Sequence, residues 1–280
     1  MKKAFIGIIL CFSLAVFGFS MSFSVKVNGG ANFLLGGDYN RIAEDANHPV
    51  YGPLPMATSG EIKKLSLGWN FGAEFIVNFT DSMGVGLGVG YLTASNDSSL
   101  TATIGPLSES WNFKPSVSVI PITLSFHYSL PLSRVFSAHF TAGPGFYISS
   151  FKFENRYIMP LLFTDLTETF TPNTKVFFGA QGSLGLEFAM SPSVSLTLDV
   201  MGRLANMVNL AGTHEFAGMF LGVTGSLSFN NHMFYYYEDG GRAHYAIQAD
   251  MPTGAGIINA REASVSLSGI CAMVGIKINL

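Results

Sequence analysis

The chain has 280 residues, 48% of them hydrophobic and only 12% charged, with 31 glycines and 25 phenylalanines. A soluble domain usually carries about a quarter charged residues, so half the expected surface charge is missing; the length fits one large β domain or two ordinary ones. A formal net charge of −3, with no basic run longer than two residues, gives no reason to expect a nucleic-acid partner.

The first segment, "MKKAFIGIILCFSLAVFGFSMS", places Lys2 and Lys3 before an apolar run that ends in small residues at Gly18, Ser20 and Ser22. This is the layout of a signal peptide over residues 1–22, with cleavage after Ser20 or Ser22. A retained anchor is the alternative, because the apolar run reaches about 18 residues, but no other helical pattern follows. Cys11 follows Leu10 rather than a small residue, which argues against a lipoprotein. Removal of the segment leaves Cys271 as the one cysteine, read here as a small apolar residue in a strand.

From residue 23 to 280 the dominant period is two, the period of a strand. The first such stretch is "FSVKVNGGANFLL" (23–35). The second, "SLGWNFGAEFIVNF" (66–79), has Leu67, Trp69, Phe71, Phe75 and Val77 in one phase and Ser66, Asn70, Glu74 and Asn78 in the other. The third, "MGVGLGVGYL" (83–92), puts Gly84, Gly86, Gly88 and Gly90 on one face. Further stretches follow at 120–130, 135–149, 175–190, 194–204 and 266–280. Eight strands result, most of them longer than the usual five or six residues.

Their connections alternate in length. Residues 80–82, 131–134 and 191–193 are short turns, whereas 36–62, 93–116, 150–174 and 205–262 are long. Short turns on one side and long loops on the other are the pattern of an up-and-down transmembrane β-barrel, whose long loops are extracellular and whose ends are periplasmic. In 205–262, Asp239-Gly240-Gly241 marks a hairpin, expected to extend the last two strands above the membrane. Reading 219–229 and 233–248 as a further membrane hairpin would instead give ten strands. Tyr235, Tyr236 and Tyr237 on this segment offer a candidate binding surface or an interfacial aromatic girdle.

Energy decides which face meets lipid. A basic side chain at the bilayer midplane on a barrel exterior costs about 2–4 kcal/mol, an acidic one less. Exposing the aromatic row to water forfeits more, at about 25 cal/mol per Å2. The aromatic phase therefore points outward. The inward phase then collects Lys26, Glu74, Glu187, Asp199, Arg203 and Lys277, three of each sign, and these must pair or hold water. An eight-stranded barrel is just wide enough for its side chains, so the glycine row leaves room for them, with Glu74 facing Gly88 or Gly90. His127 and His139 share this phase and are expected as cross-strand neighbours, too few ligands for a metal site. No metal and no cofactor are expected. His48, His214, His232 and His244 are scattered without ligand spacing.

The signal segment, "GVGLGVGY", "TAGPGFYIS", "LGLEF" and the closing "LSGICAMVGIKINL" resemble the small outer-membrane β-barrel family, which includes eight-stranded porin-like barrels and surface adhesins. The resemblance implies an outer-membrane location, lipid and the barrel assembly machinery as partners, and no shared catalytic residues. The family usually ends in an aromatic residue, whereas this chain ends in Leu280. The His-x-Ser in "FHYS" (126–129) is similar to the pair of outer-membrane lipid A deacylases, but His127 and Ser129 face inward beside a short turn, and Leu130 stands where that family has asparagine. The expectation is a closed or narrow barrel, not an enzyme, acting structurally or by binding an unidentified extracellular ligand. A narrow solute channel is the alternative, and a lipid-active enzyme a more distant one.

Overall fold

A computed structural model describes residues 21–47 and 57–280. Eight antiparallel strands form its wall. They are β1 (Ser22–Leu34), β2 (Leu67–Asn78), β3 (Met83–Ser95), β4 (Ser116–Pro131), β5 (Phe136–Met159), β6 (Lys175–Ala189), β7 (Val194–Leu204) and β8 (Gly269–Asn279). Each pairs with the next in chain order, and β8 returns to β1. The wall is therefore closed and has no edge. All eight sequence-predicted strands are present, and the ten-strand alternative is not adopted.

The pleat sorts the side chains as expected from the cost of burying charge in lipid. Trp69, Phe71, Leu87, Val89, Phe126 and Phe146 point outward and are exposed, while Lys26, Asn70, Asp199 and Arg203 are buried inside. Among the described residues no helix is long and apolar enough to cross a membrane; the wall strands supply the apolar surface.

Beyond the wall, the long connections are not open loops. Leu107–Phe113 and Thr164–Pro172 pair with the upper part of β5, which outruns the barrel. Ala211–Phe220 adds to Thr164–Pro172, then Val223–Asp239, then Arg242–Gln248. On the other side Ser98–Ile104 and Ala57–Glu61 continue the sheet. The Asp239-Gly240-Gly241 hairpin forms as expected, with Asp239 opposite Arg242 and both glycines at positive φ.

Two expectations for 205–262 fail. The hairpin does not prolong the last two wall strands; it joins this lateral sheet through Ala211–Phe220. Nor is 219–229 one strand. Leu221 and Gly222 both take positive φ and turn the chain between Phe220 and Val223.

One helix, α1 (Asp38–Ala46), lies in the β1–β2 connection. Its Tyr39, Ile42 and Ala43 are buried in a core with Leu34, Leu65, Leu92, Tyr147, Phe153, Phe234 and Leu267. Asp38 anchors it, accepting from the Ser264 backbone N–H at 2.9 Å and the Ser264 hydroxyl at 3.0 Å. Asn40 ties both flanks, donating to the Leu35 carbonyl at 2.9 Å and accepting from the Leu65 N–H at 2.7 Å. The molecule is thus apolar-outside in its wall and apolar-inside above it.

Candidate functional site in the barrel lumen

The glycine row of β3 fixes how close opposing side chains can come. Glu74 stands opposite Gly88, as the turn at 80–82 predicts. A Cβ at Gly86 would stand 2.7 Å from His127 Nε2 and overlap the Glu74 carboxylate. At Gly88 it would lie 2.8 Å from the Thr123 hydroxyl. A larger residue at either position would have to push these lumen side chains off their partners.

Each lumen carboxylate is held from a strand two places round the ring, across one intervening strand. Lys26 donates to Asp199 Oδ1 at 3.0 Å and lies 2.8 Å from Oδ2. His139 Nε2 donates to Asp199 Oδ1 at 2.6 Å. Glu74 Oε1 accepts from His127 Nε2 at 2.9 Å and from the Ser125 hydroxyl. Lys277 donates to Glu187 at 3.1 Å. The six charged residues and two histidines named from sequence all face the lumen, and seven of the eight fall into these pairs.

Arg203 is the exception, because no carboxylate reaches it. Its Nη2 donates to the Asn70 side-chain carbonyl at 3.2 Å, and the guanidinium lies 5.9 Å from the Tyr147 ring centre. The histidines also differ from expectation. His127 pairs with Thr141 and His139 with Ser129, so the two are diagonal neighbours serving different carboxylates. Among the described residues, no group of three or more histidine, cysteine or acidic side chains is arranged to hold a metal.

The packed lumen leaves a cavity of about 60 Å3 lined by Asn70, Glu74, Thr123, Gln181 and Arg203, among others. At about 30 Å3 of liquid volume per water, it has room for roughly two. Above it the apolar core with α1 fills the bore.

The tyrosines read as a surface are instead internal. Tyr236 and Tyr235 are buried, and Tyr237 is half-buried against His244, with ring centres 5.4 Å apart. The cause is tertiary: Ile258–Glu262 pairs alongside this strand, and α1 packs against the adjoining Arg242–Gln248. Tyr236 lies under Arg261, 4.1 Å from its ring centre, and donates to Glu238 at 2.6 Å. Burial, then that bond, pushes its hydroxyl up to about 12. The same bond, with one from Asn259, holds Glu238 below the usual carboxylate range.

Sequence reading also missed a histidine pair. His214 and His232 meet through their Nδ1 atoms at 3.0 Å, and His214 Nε2 donates to Glu168 at 2.9 Å. The signal was hidden because a bulge between Gly212 and His214 shifts the register. His48 lies outside the described residues, as do residues 1–20 of the expected signal segment.

A closed antiparallel wall with lipid-facing aromatics outside and paired charges inside defines an integral outer-membrane β-barrel. More narrowly, the chain belongs to the outer membrane protein β-barrel domain family, whose model matches residues 12–217. No curated protein sequence matches it. Among solved structures it is similar to the outer membrane protease OmpT from Escherichia coli, at 9% identity over 93% of this chain and 95% of that one, with a TM-score of 0.36. A variant of OccD1 (OprD) matches at 8% identity over 94% and 97% of the two chains, with a TM-score of 0.12.

Proposed function

We propose that this barrel is closed and non-catalytic, and that it serves as a membrane-held platform whose extramembrane sheet meets partners outside the cell. One observation carries the reading: the bore is filled twice, by the ion-paired lumen and by the apolar core around α1. Opening a solute path would require breaking buried ion pairs, and removing one partner from such a pair costs about 3–5 kcal/mol. The sheet sits on the side of the long connections, which is the external side in barrels of this build. Outer-membrane lipid and the assembly machinery are its other proposed partners. The catalytic alternative gains nothing from His127, whose Nε2 is committed to Glu74 inside the lumen.

Planar-bilayer recording tests the reading. Purified, reconstituted protein is expected to leave the membrane current flat. Large, stable open steps would establish a channel and overturn closure.

A further inference from the structure

The end of the extramembrane sheet farthest from the wall carries an apolar tip. Two neighbouring turns build it. One presents Leu161, Leu162 and Phe163, the other Phe220, Leu221 and Val223, all six exposed; Phe163 is 69% accessible and Val223 73%. The turns are tied together, since the Gly222 N–H donates to the Phe163 carbonyl at 3.1 Å and the Leu221 N–H to the Thr164 hydroxyl at 3.4 Å.

Three features separate this tip from an ordinary apolar scatter. First, 160–164 and 219–224 contain no charged residue. The nearest charge along the first turn is Asp165, neutralised by a two-pronged Arg156 contact at 2.8 and 2.6 Å. Second, Phe163 and Leu221 sit at φ 49 and 50. Bulky residues rarely take that conformation, where glycine or asparagine is favoured, so these side chains are kept at a cost to the fold. Third, the N–H groups of Phe163, Leu221 and Gly222 are satisfied within the tip. These three donors would therefore enter hydrocarbon without the cost of several kcal/mol that each orphan group carries there.

We propose that this tip inserts into the hydrocarbon of a second bilayer facing the one that holds the barrel. The barrel's own membrane is out of reach. From Ser149, the last β5 residue paired with β6, to Met159 the strand runs about 33 Å at roughly 3.3 Å per residue, or about 25 Å along the membrane normal at a tilt of about 40°. An uncharged tip whose Phe163, Leu221 and Gly222 N–H groups are already bonded needs no matching pocket in a fluid apolar medium. Insertion to the 5–10 Å typical of interfacial apolar groups would cover all six side chains. The proposal deepens the platform reading by naming its partner.

The test uses the full barrel in nanodiscs, mixed with phosphatidylcholine vesicles and spun through a flotation gradient, with empty nanodiscs as control. Wild-type protein is expected to float with the vesicles, and a Phe163→Trp variant to lose emission when the vesicle lipids carry brominated chains. The double variant Phe163→Asn, Leu221→Asn keeps residues suited to positive φ and should retain its folded, heat-modifiable gel band while flotation falls at least tenfold. Failure of the wild type to float, or equal flotation of the double variant, would overturn the proposal. So would pairing of protein-loaded discs without vesicles, which would assign the tip to a second copy of the chain. None of these outcomes bears on closure, which the current recording decides separately.

Discussion

Asp199 shows what a single lumen side chain is worth. It is buried with Lys26 and His139 on its two oxygens. Asp199→Leu strands an ammonium in the bore, and the expected loss is about 3–5 kcal/mol, read as a lower urea midpoint of the folded gel band. Replacing both partners by apolar groups, Lys26→Met with Asp199→Leu, should recover most of that loss, because no uncompensated charge is then left. If the double variant is no better than the single, pairing is not what holds these residues. Glycines make a second contrast at this scale. Gly86→Ala drives a methyl into Glu74 and His127, whereas a Cβ at the outward-facing Gly202 meets nothing within 4 Å. Refolding yield into detergent should collapse for the first variant and hold for the second.

At the level of strands and hairpins, the His214–His232 contact gives the lateral sheet a dependence on pH. Burial, then the neighbouring His214, lowers the His232 pKa from its ordinary value of 6.5. The folded state then binds fewer protons than the unfolded one just below 6.5. Stability is therefore complete above that value and is lost as pH falls through the lowered one. Hydrogen exchange of 211–231, corrected for intrinsic rate, should speed up at pH 5.5 relative to 7.5, and His232→Gln should remove the difference. An unchanged pH response in that variant would point elsewhere, to groups such as Glu238. The same scale shows what the sequence made legible. Every wall strand was readable, because lipid on one face and a tight lumen on the other impose strong alternation, as Gly84–Tyr91 illustrates. Ser98–Ile104, Leu107–Phe113 and Thr164–Pro172 were not, since "SSLTATI" and "TDLTETFTP" mix hydroxyls with few apolar residues. Gly105-Pro106 was the one usable turn signal there. The lumen set was found through pleat phase alone. Its pairing, and the burial of Tyr235 and Tyr236, depend on strands far apart in sequence.

Taken whole, the molecule joins two solvents' worth of design in one sheet. The hairpins "GAEFIVNFTDSMGVG" and "GLEFAMSPSVSLT" are similar, and they lie across the ring from each other as β2–β3 and β6–β7. Glu74 and Glu187 thereby enter the lumen from opposite sides. The upper core is expected to open separately from this arrangement, although wall residues such as Leu34 and Leu92 contribute to it. Tyr39→Ser with Ile42→Ser should raise exchange throughout 98–113 and 233–248 while the wall amides of β2 and β3 stay protected. Equal loss in both regions would mean the two halves fold as one unit.

The seam of the ring joins β1 to β8, and Ser24 donates to Asn279 at 2.9 Å across 255 residues of sequence. Contacts so remote make loop closure the slow event in folding. A chain stopped short of Gly269 would present two raw strand edges, β1 and β7, to every neighbour. The last eleven residues of the wall thus decide whether the cylinder exists at all, because β8 alone covers both of those edges.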